Sequence, residues 1–334
     1  MKQTYKFLTK NLPYVLLGAV LTTILGVIAC ILGYDKKTSW LRLGGACTIV
    51  FALLGLATIC FAGYIAYKTK DVHIKKIRKN SGFLKVGAYL AFAITLFIFG
   101  FELVKLIMAS YNSMLSEYFS IWRVFRFIFA LPCACHFLFV ALPTRIKRKR
   151  VKIPKVIRYI TSVSAVLWSI FGLLSSYFSN QLSTMNILKI WQVVLYLCFT
   201  VFFLFEAKFE HISQAPRAYI FMGCTTFTLT MAFTLTTIIC VITRIIPYTN
   251  SFSAAELICT LVIGIYAFAR ICAIVDTLRH VIMNSDSGTF SSKFGHQHQH
   301  RHHHHHHSSS SKSVNEATEK QASENNTDKT EQNN

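Results

Sequence analysis

Long apolar runs alternate with short polar or basic connectors along most of this chain. Eight runs stand out, at 12–34, 41–67, 83–110, 119–142, 156–178, 187–206, 217–243 and 252–275. Each is about as long as the ~20 apolar helical residues needed to cross a hydrocarbon layer ~30 Å thick. A helix satisfies its own backbone N–H and C=O groups in lipid, and the period-two alternation of a barrel strand is missing from the runs. The pattern predicts an all-α protein, a polytopic transmembrane bundle of about eight spans with both termini on the inner side. Residues 1–11 read as a basic cytoplasmic N-terminus and 12–275 as the transmembrane domain. Residues 276–334 read as a disordered cytoplasmic tail, His-rich first and polar and acidic afterwards.

Direction follows from charge. With the N-terminus inside, twenty-two of the Lys and Arg residues among the first 280 fall on the cytoplasmic side and eight on the other. The positive-inside rule selects that arrangement, and the plasma membrane is the expected location. Tyr34, Trp40, Tyr111, Tyr118, Trp122, Tyr177, Trp191 and Tyr248 then lie near the outer interface. Val27, Ile28, Ala29 and Cys30 resemble a lipoprotein cleavage box. The stronger reading keeps Cys30 within the first helix, because apolar Ile31 and Leu32 follow it directly.

Composition agrees: 53% of the 334 residues are hydrophobic and only 15% charged, against about 25% in soluble domains. The formal charge of +21 would ordinarily suggest nucleic acid. Most of the basic residues, however, sit in two connectors, 68–85 and 145–158, that abut spans. They point instead to anionic lipid headgroups, and no nucleic-acid partner is expected. All ten cysteines lie in apolar runs, so no disulfide framework is expected.

Small residues recur at helical spacing in three spans: Gly18, Thr22, Gly26, Ala29 and Gly33; Ser162, Ala165, Ser169, Gly172 and Ser176; Gly223, Thr226, Thr230, Thr234 and Thr237. Helices in lipid associate through such seams, so these read as packing faces, with a Thr-lined solute path as the rival reading of the last.

Ionisable residues inside spans are costly and are candidates for function. Glu102 and Arg126 flank the third outer turn at similar depth, with Lys105 and Arg123 one turn nearer the surface. These four form the candidate substrate site, facing outward towards an anion or lipid headgroup. The plainer alternative is a structural Glu102–Arg126 pair, with Lys105 and Arg123 reaching to the interface. Near the inner face, Glu206 and Arg270 sit at similar depth and can pair, although Arg270 also reads as an ordinary basic anchor. Pro132 should kink the fourth span beside Cys133, Cys135 and His136. Those three form a weak soft-metal candidate, because residues two apart on a helix point to different sides. In the tail, His302, His303, His304, His305, His306 and His307 would take Zn, Ni or Cu adventitiously. No other cofactor is expected.

No G-x-x-x-x-G-K-[ST], H-E-x-x-H or G-x-S-x-G motif is present, and no catalytic residue is assigned. The expected function is that of a non-enzymatic transporter or permease-like component. The first alternative is a membrane scaffold or sensor engaging a protein partner through its basic loops and tail. A second is an intramembrane enzyme using His136 and Glu102. The threaded topology predicts that the protein resists extraction in alkaline carbonate. A cysteine placed within 145–155 should be labelled only from the cytoplasmic side of intact cells.

Overall fold

In the computed structural model, the described residues are 2–35, 40–41, 45–69, 81–111, 121–142, 145–146, 149–150, 154–178, 187–212, 216–246 and 254–295. Their mean hydropathy and helical length build eight helices able to cross a membrane. They are α1 (Lys2–Gly33), α2 (Ala46–Lys68), α3 (Gly82–Tyr111), α4 (Ile121–Ala141), α5 (Lys155–Tyr177), α6 (Ile187–Ile212), α7 and α8 (Ala254–Gly295). Helix α7 has three parts: α-helical Pro216–Thr230, π-helical Met231–Leu235 and α-helical Thr236–Ile242. Two-residue antiparallel pairings close two connectors, Tyr34–Asp35 with Trp40–Leu41 and Arg145–Ile146 with Lys149–Arg150. The chain divides into two units, Met1–Ser287 and Gly288–Asn334. Of the second, residues 288–295 are described and are helical.

The fold class is the expected one, a polytopic helix bundle. Its two terminal helices run past the apolar boundaries. α1 begins within the segment read as a basic N-terminus, because Leu8 and Leu12 are buried against the core while Lys6 and Lys10 stay exposed. α8 continues beyond 275 because Leu278 is buried and Thr277 Oγ1 donates to the Ala273 carbonyl at 2.6 Å. Helix α4 runs unbroken across Pro132. Connectors 36–39, 112–120, 179–186 and 247–253, expected on the outer side, lie outside the described residues, as does the tail beyond 295.

Sequential neighbours pack together: α1 on α2, α3 on α4, α4 on α5, α5 on α6 and α6 on α7. α7 also meets α1 and α2. Helix α8 is the most buried, with 67% of its apolar stretch inside the protein against 17% for α3. Its side chains reach α3, α4, α6 and α7. Short connectors make the helices alternate in direction. One end of the bundle therefore carries the basic connectors 68–85 and 145–158, and is called here the basic end.

Each of the three small-residue seams packs against a neighbouring helix. Gly18 lies against Thr58 of α2, Gly172 against Tyr196 of α6 and Gly223 against Ile271 of α8. Thr226, Thr230, Thr234 and Thr237 are buried. Many hydroxyls donate to a carbonyl one turn back, as Thr230 does to Thr226 at 2.7 Å, which satisfies a polar group that lipid cannot. The closest approach is at Gly264 of α8, where an added Cβ would lie 2.5 Å from Thr230 Cβ. Gly264→Ala should therefore cost about 1–3 kcal/mol in unfolding from bicelles, through overpacking. Gly100→Ala, with nothing within 4 Å of the new methyl, should change little.

Candidate functional site

Glu206 is 1% exposed on α6, and an isolated carboxylate there would be prohibitively costly. Neighbouring helices supply its partners. Arg270 of α8, also 1% exposed, places Nη2 2.6 Å from Glu206 Oε1, and the Tyr266 hydroxyl donates to the same oxygen at 2.6 Å. Arg270 Nε donates to the Tyr219 hydroxyl of α7 at 3.1 Å. His136 of α4, 2% exposed, points Nε2 at Glu206 Oε1 from 3.6 Å, which is too far for a hydrogen bond.

Aromatic packing positions these groups. The Tyr219 ring stacks on Phe202 and Phe209, with centroids 5.4 and 5.5 Å away. Tyr266 meets Phe137 edge to face at 4.9 Å. Each ring is held by its apolar body, which leaves the hydroxyl to solvate a charge.

A second pair, half-buried, lies towards the opposite end. Arg126 of α4 sets Nη1 2.5 Å from Glu256 Oε1 of α8, and Nη2 donates to the Tyr196 hydroxyl of α6 at 2.6 Å. Gln192 Nε2 donates to Glu256 Oε2 at 3.1 Å. The guanidinium also lies over the rings of Trp168 and Tyr196, at 5.3 and 5.1 Å. Such ring faces offer a planar cation favourable contact where water is scarce.

Both pairs draw on α8, which meets α6 through Glu206–Arg270 and α4 through Arg126–Glu256, with α6 adding Tyr196 and Gln192 to the second. From Arg126 to His136 on α4, and from Tyr196 to Glu206 on α6, is about ten residues or ~15 Å. Between them lies a dry layer that includes Cys133, Phe199, Phe203, Cys259 and Ile263, all buried. Beside the Arg126–Glu256 pair is a cavity of about 20 Å³, room for about one water. Glu256, Gln192, Thr234, Thr237 and Thr260 contribute to its lining. The π-helical turn of α7 forms part of this wall through Phe233 and Thr234. Thr23 of α1 donates to the Met231 carbonyl of that turn at 3.0 Å, and π turns of this kind often mark functional places.

The candidate substrate residues are divided by the fold. Glu102 and Lys105 pair on α3, 3.6 Å apart and partly exposed. The carboxylate partner of Arg126 is Glu256, not Glu102. Arg123 contributes to the electrostatic field at Glu256. Arg270 is no surface anchor, because its head is buried on Glu206. Cys133, Cys135 and His136 do not converge, and among the described residues no group of three His, Cys, Asp or Glu side chains could hold a metal ion. The tract at 302–307 lies outside the described residues.

Sequence reasoning missed Glu256, Gln192, Tyr196, Tyr219 and Tyr266. One signal was available for Glu256: the outer half held more buried base than acid, and it is the only acid in the eighth apolar run. No family model, curated protein or solved structure matches the chain.

Removing one member of a buried pair leaves the other charge uncompensated, at about 3–5 kcal/mol. Glu206→Gln and Arg270→Gln should each destabilise by about that much. The double variant Glu206→Leu with Arg270→Met should lose clearly less than the sum of its single changes, as read by a double-mutant cycle on unfolding in bicelles.

Proposed function

We propose that this multi-pass membrane protein is a non-enzymatic transporter or permease-like component, and that α4, α6 and α8 form its working column. One observation carries the reading: two interior ion pairs, the buried Glu206–Arg270 joining α6 to α8 and the half-buried Arg126–Glu256 joining α4 to α8, stand towards opposite ends of a dry layer. Packing alone would hold helices together in lipid, through small-residue seams of the kind already present. Charge is an expensive way to do so, at several kcal/mol for each ion taken from water, and intramembrane charges tend to mark solute paths. An ion pair between helices has a property that apolar packing lacks: it can be parted by water or by a competing charge.

In this reading the two pairs act as latches at opposite ends, and the arrangement with both closed is an occluded one. The cavity beside Glu256, with room for about one water, is where the column would first hydrate. The basic connectors face the cytoplasm and anionic headgroups of the plasma membrane. An anionic solute arriving from the other side would meet Lys105 and Arg123 first, since Arg126 is held by Glu256. The π turn of α7 gives the wall beside the cavity a backbone that can change register.

Purified protein in liposomes, screened with labelled anions, cations and neutral solutes, tests this. Saturable uptake of one class should appear, and Arg126→Gln should lower it at least tenfold. Deleting 285–334 should leave it intact. No uptake of any class, together with a protein partner retained only by the full-length tail, would replace transport with a scaffold role.

A further inference from the structure

We propose that His136 is a proton-binding site whose occupation loosens the Glu206–Arg270 tie, making the proton the coupling ion of the column. The coupling role rests on the transport reading above, whereas the proton site itself does not.

His136 Nε2 is buried, has no hydrogen-bond partner, and sits 3.6 Å from a carboxylate oxygen that already accepts two short bonds. A satisfied structural histidine would donate to or accept from a neighbour. This one instead faces an anion across a gap slightly too long to bond. Either neutral tautomer leaves the ring one nitrogen able to take a further proton. With that proton added both ring nitrogens are donors, so a charged N–H faces the carboxylate oxygen. No bond is broken and no electron moves. The proton comes from water.

The charged and titratable groups around the imidazole define the consequence. They are Glu206 from α6, Arg270 and Tyr266 from α8 and Tyr219 from α7, with Cys133 and Cys135 on α4 itself. Lys85 of α3 and Arg158 of α5 lie on helices packed against α4, towards the same end. With His136 neutral, the cluster holds one acid and one base and sums to zero. With His136 protonated it sums to +1, and two cations share one carboxylate. In a low-dielectric interior their mutual repulsion is weakly screened, so Arg270 loses hold on Glu206 and α8 is freed from α6. Pro132, one turn before His136, removes a backbone hydrogen bond from α4 and gives that helix a point at which to yield.

Infrared difference spectra of the full-length protein in nanodiscs, pH 5 minus pH 8, test the proposal. Wild type should show a shift of the Glu206 carboxylate stretch, identified by its loss in Glu206→Gln. His136→Gln should abolish that shift while the tail imidazoles titrate as before. Should His136→Gln fail to insert, wild type labelled with ¹⁵N-histidine answers the same question. Its deuterium-protected imidazole should convert to imidazolium between pH 8 and pH 5. A carboxylate shift unchanged by His136→Gln, no shift in wild type, or a protected imidazole still neutral at pH 5 would overturn the site. Neither measurement uses a solute, so a failed uptake screen and a failed titration remain distinguishable.

Discussion

A charge inside a hydrocarbon layer must be neutralised where it sits, because no water is at hand to do so. That constraint accounts for the centre of this bundle better than any packing argument. Glu206 and Arg270 are each 1% exposed, and either alone would make the fold untenable. Once both are present, α6 and α8 must stand where the carboxylate and guanidinium meet, with Tyr219 and Tyr266 supplying hydroxyls in place of water. The same logic draws α4 towards α8 through Arg126 and Glu256. Helix α8 is therefore central for an electrostatic reason as well as a steric one. The steric part is Gly264, where the α7–α8 approach leaves no room for a methyl group.

The spans were legible in the sequence because crossing lipid demands a signal about twenty residues long, which single substitutions do not blur. The helix ends were less legible. Hydropathy reports lipid, whereas α1 and α8 extend by burying Leu8 and Leu278 against protein, which hydropathy cannot separate from a polar flank. Depth counting brought Glu206 and Arg270 to the same level. It failed for Arg126 because counting within a hairpin favours the sequence neighbour, Glu102, over Glu256, which lies 130 residues away and reaches Arg126 only once α8 enters the centre. The π turn of α7 left no mark that a propensity argument could use. Its Thr and Phe residues fit an α-helix equally well, and the change of register is supported by contacts such as the Thr23 bond to the Met231 carbonyl.

Aromatic residues give both pairs their geometry. Phe202 and Phe209 clamp Tyr219, and Trp168 with Tyr196 offers ring faces to Arg126. A hydroxyl on a clamped ring holds a charge in place of water, so both pairs are oriented, and the Glu206–Arg270 pair is dry as well. Dryness strengthens the attraction between the ions, and it also means that parting them requires something to enter.

The surroundings of the two pairs differ, and in the proposed transport reading this asymmetry sets how the column works. The Arg126–Glu256 pair borders a cavity with room for about one water and lined by Gln192 and threonine hydroxyls, so separated ions there would find partners. Water is a sufficient key for that latch. The Glu206–Arg270 pair is enclosed by Phe137, Phe202 and two tyrosines, and separating it dry would strand two ions in a low-dielectric interior. On the proposal above it yields to a substitute cation formed in place, at His136. On the proposed reading, a column with one latch released by water and the other by a proton would open its ends in turn, because the two keys arrive under different conditions.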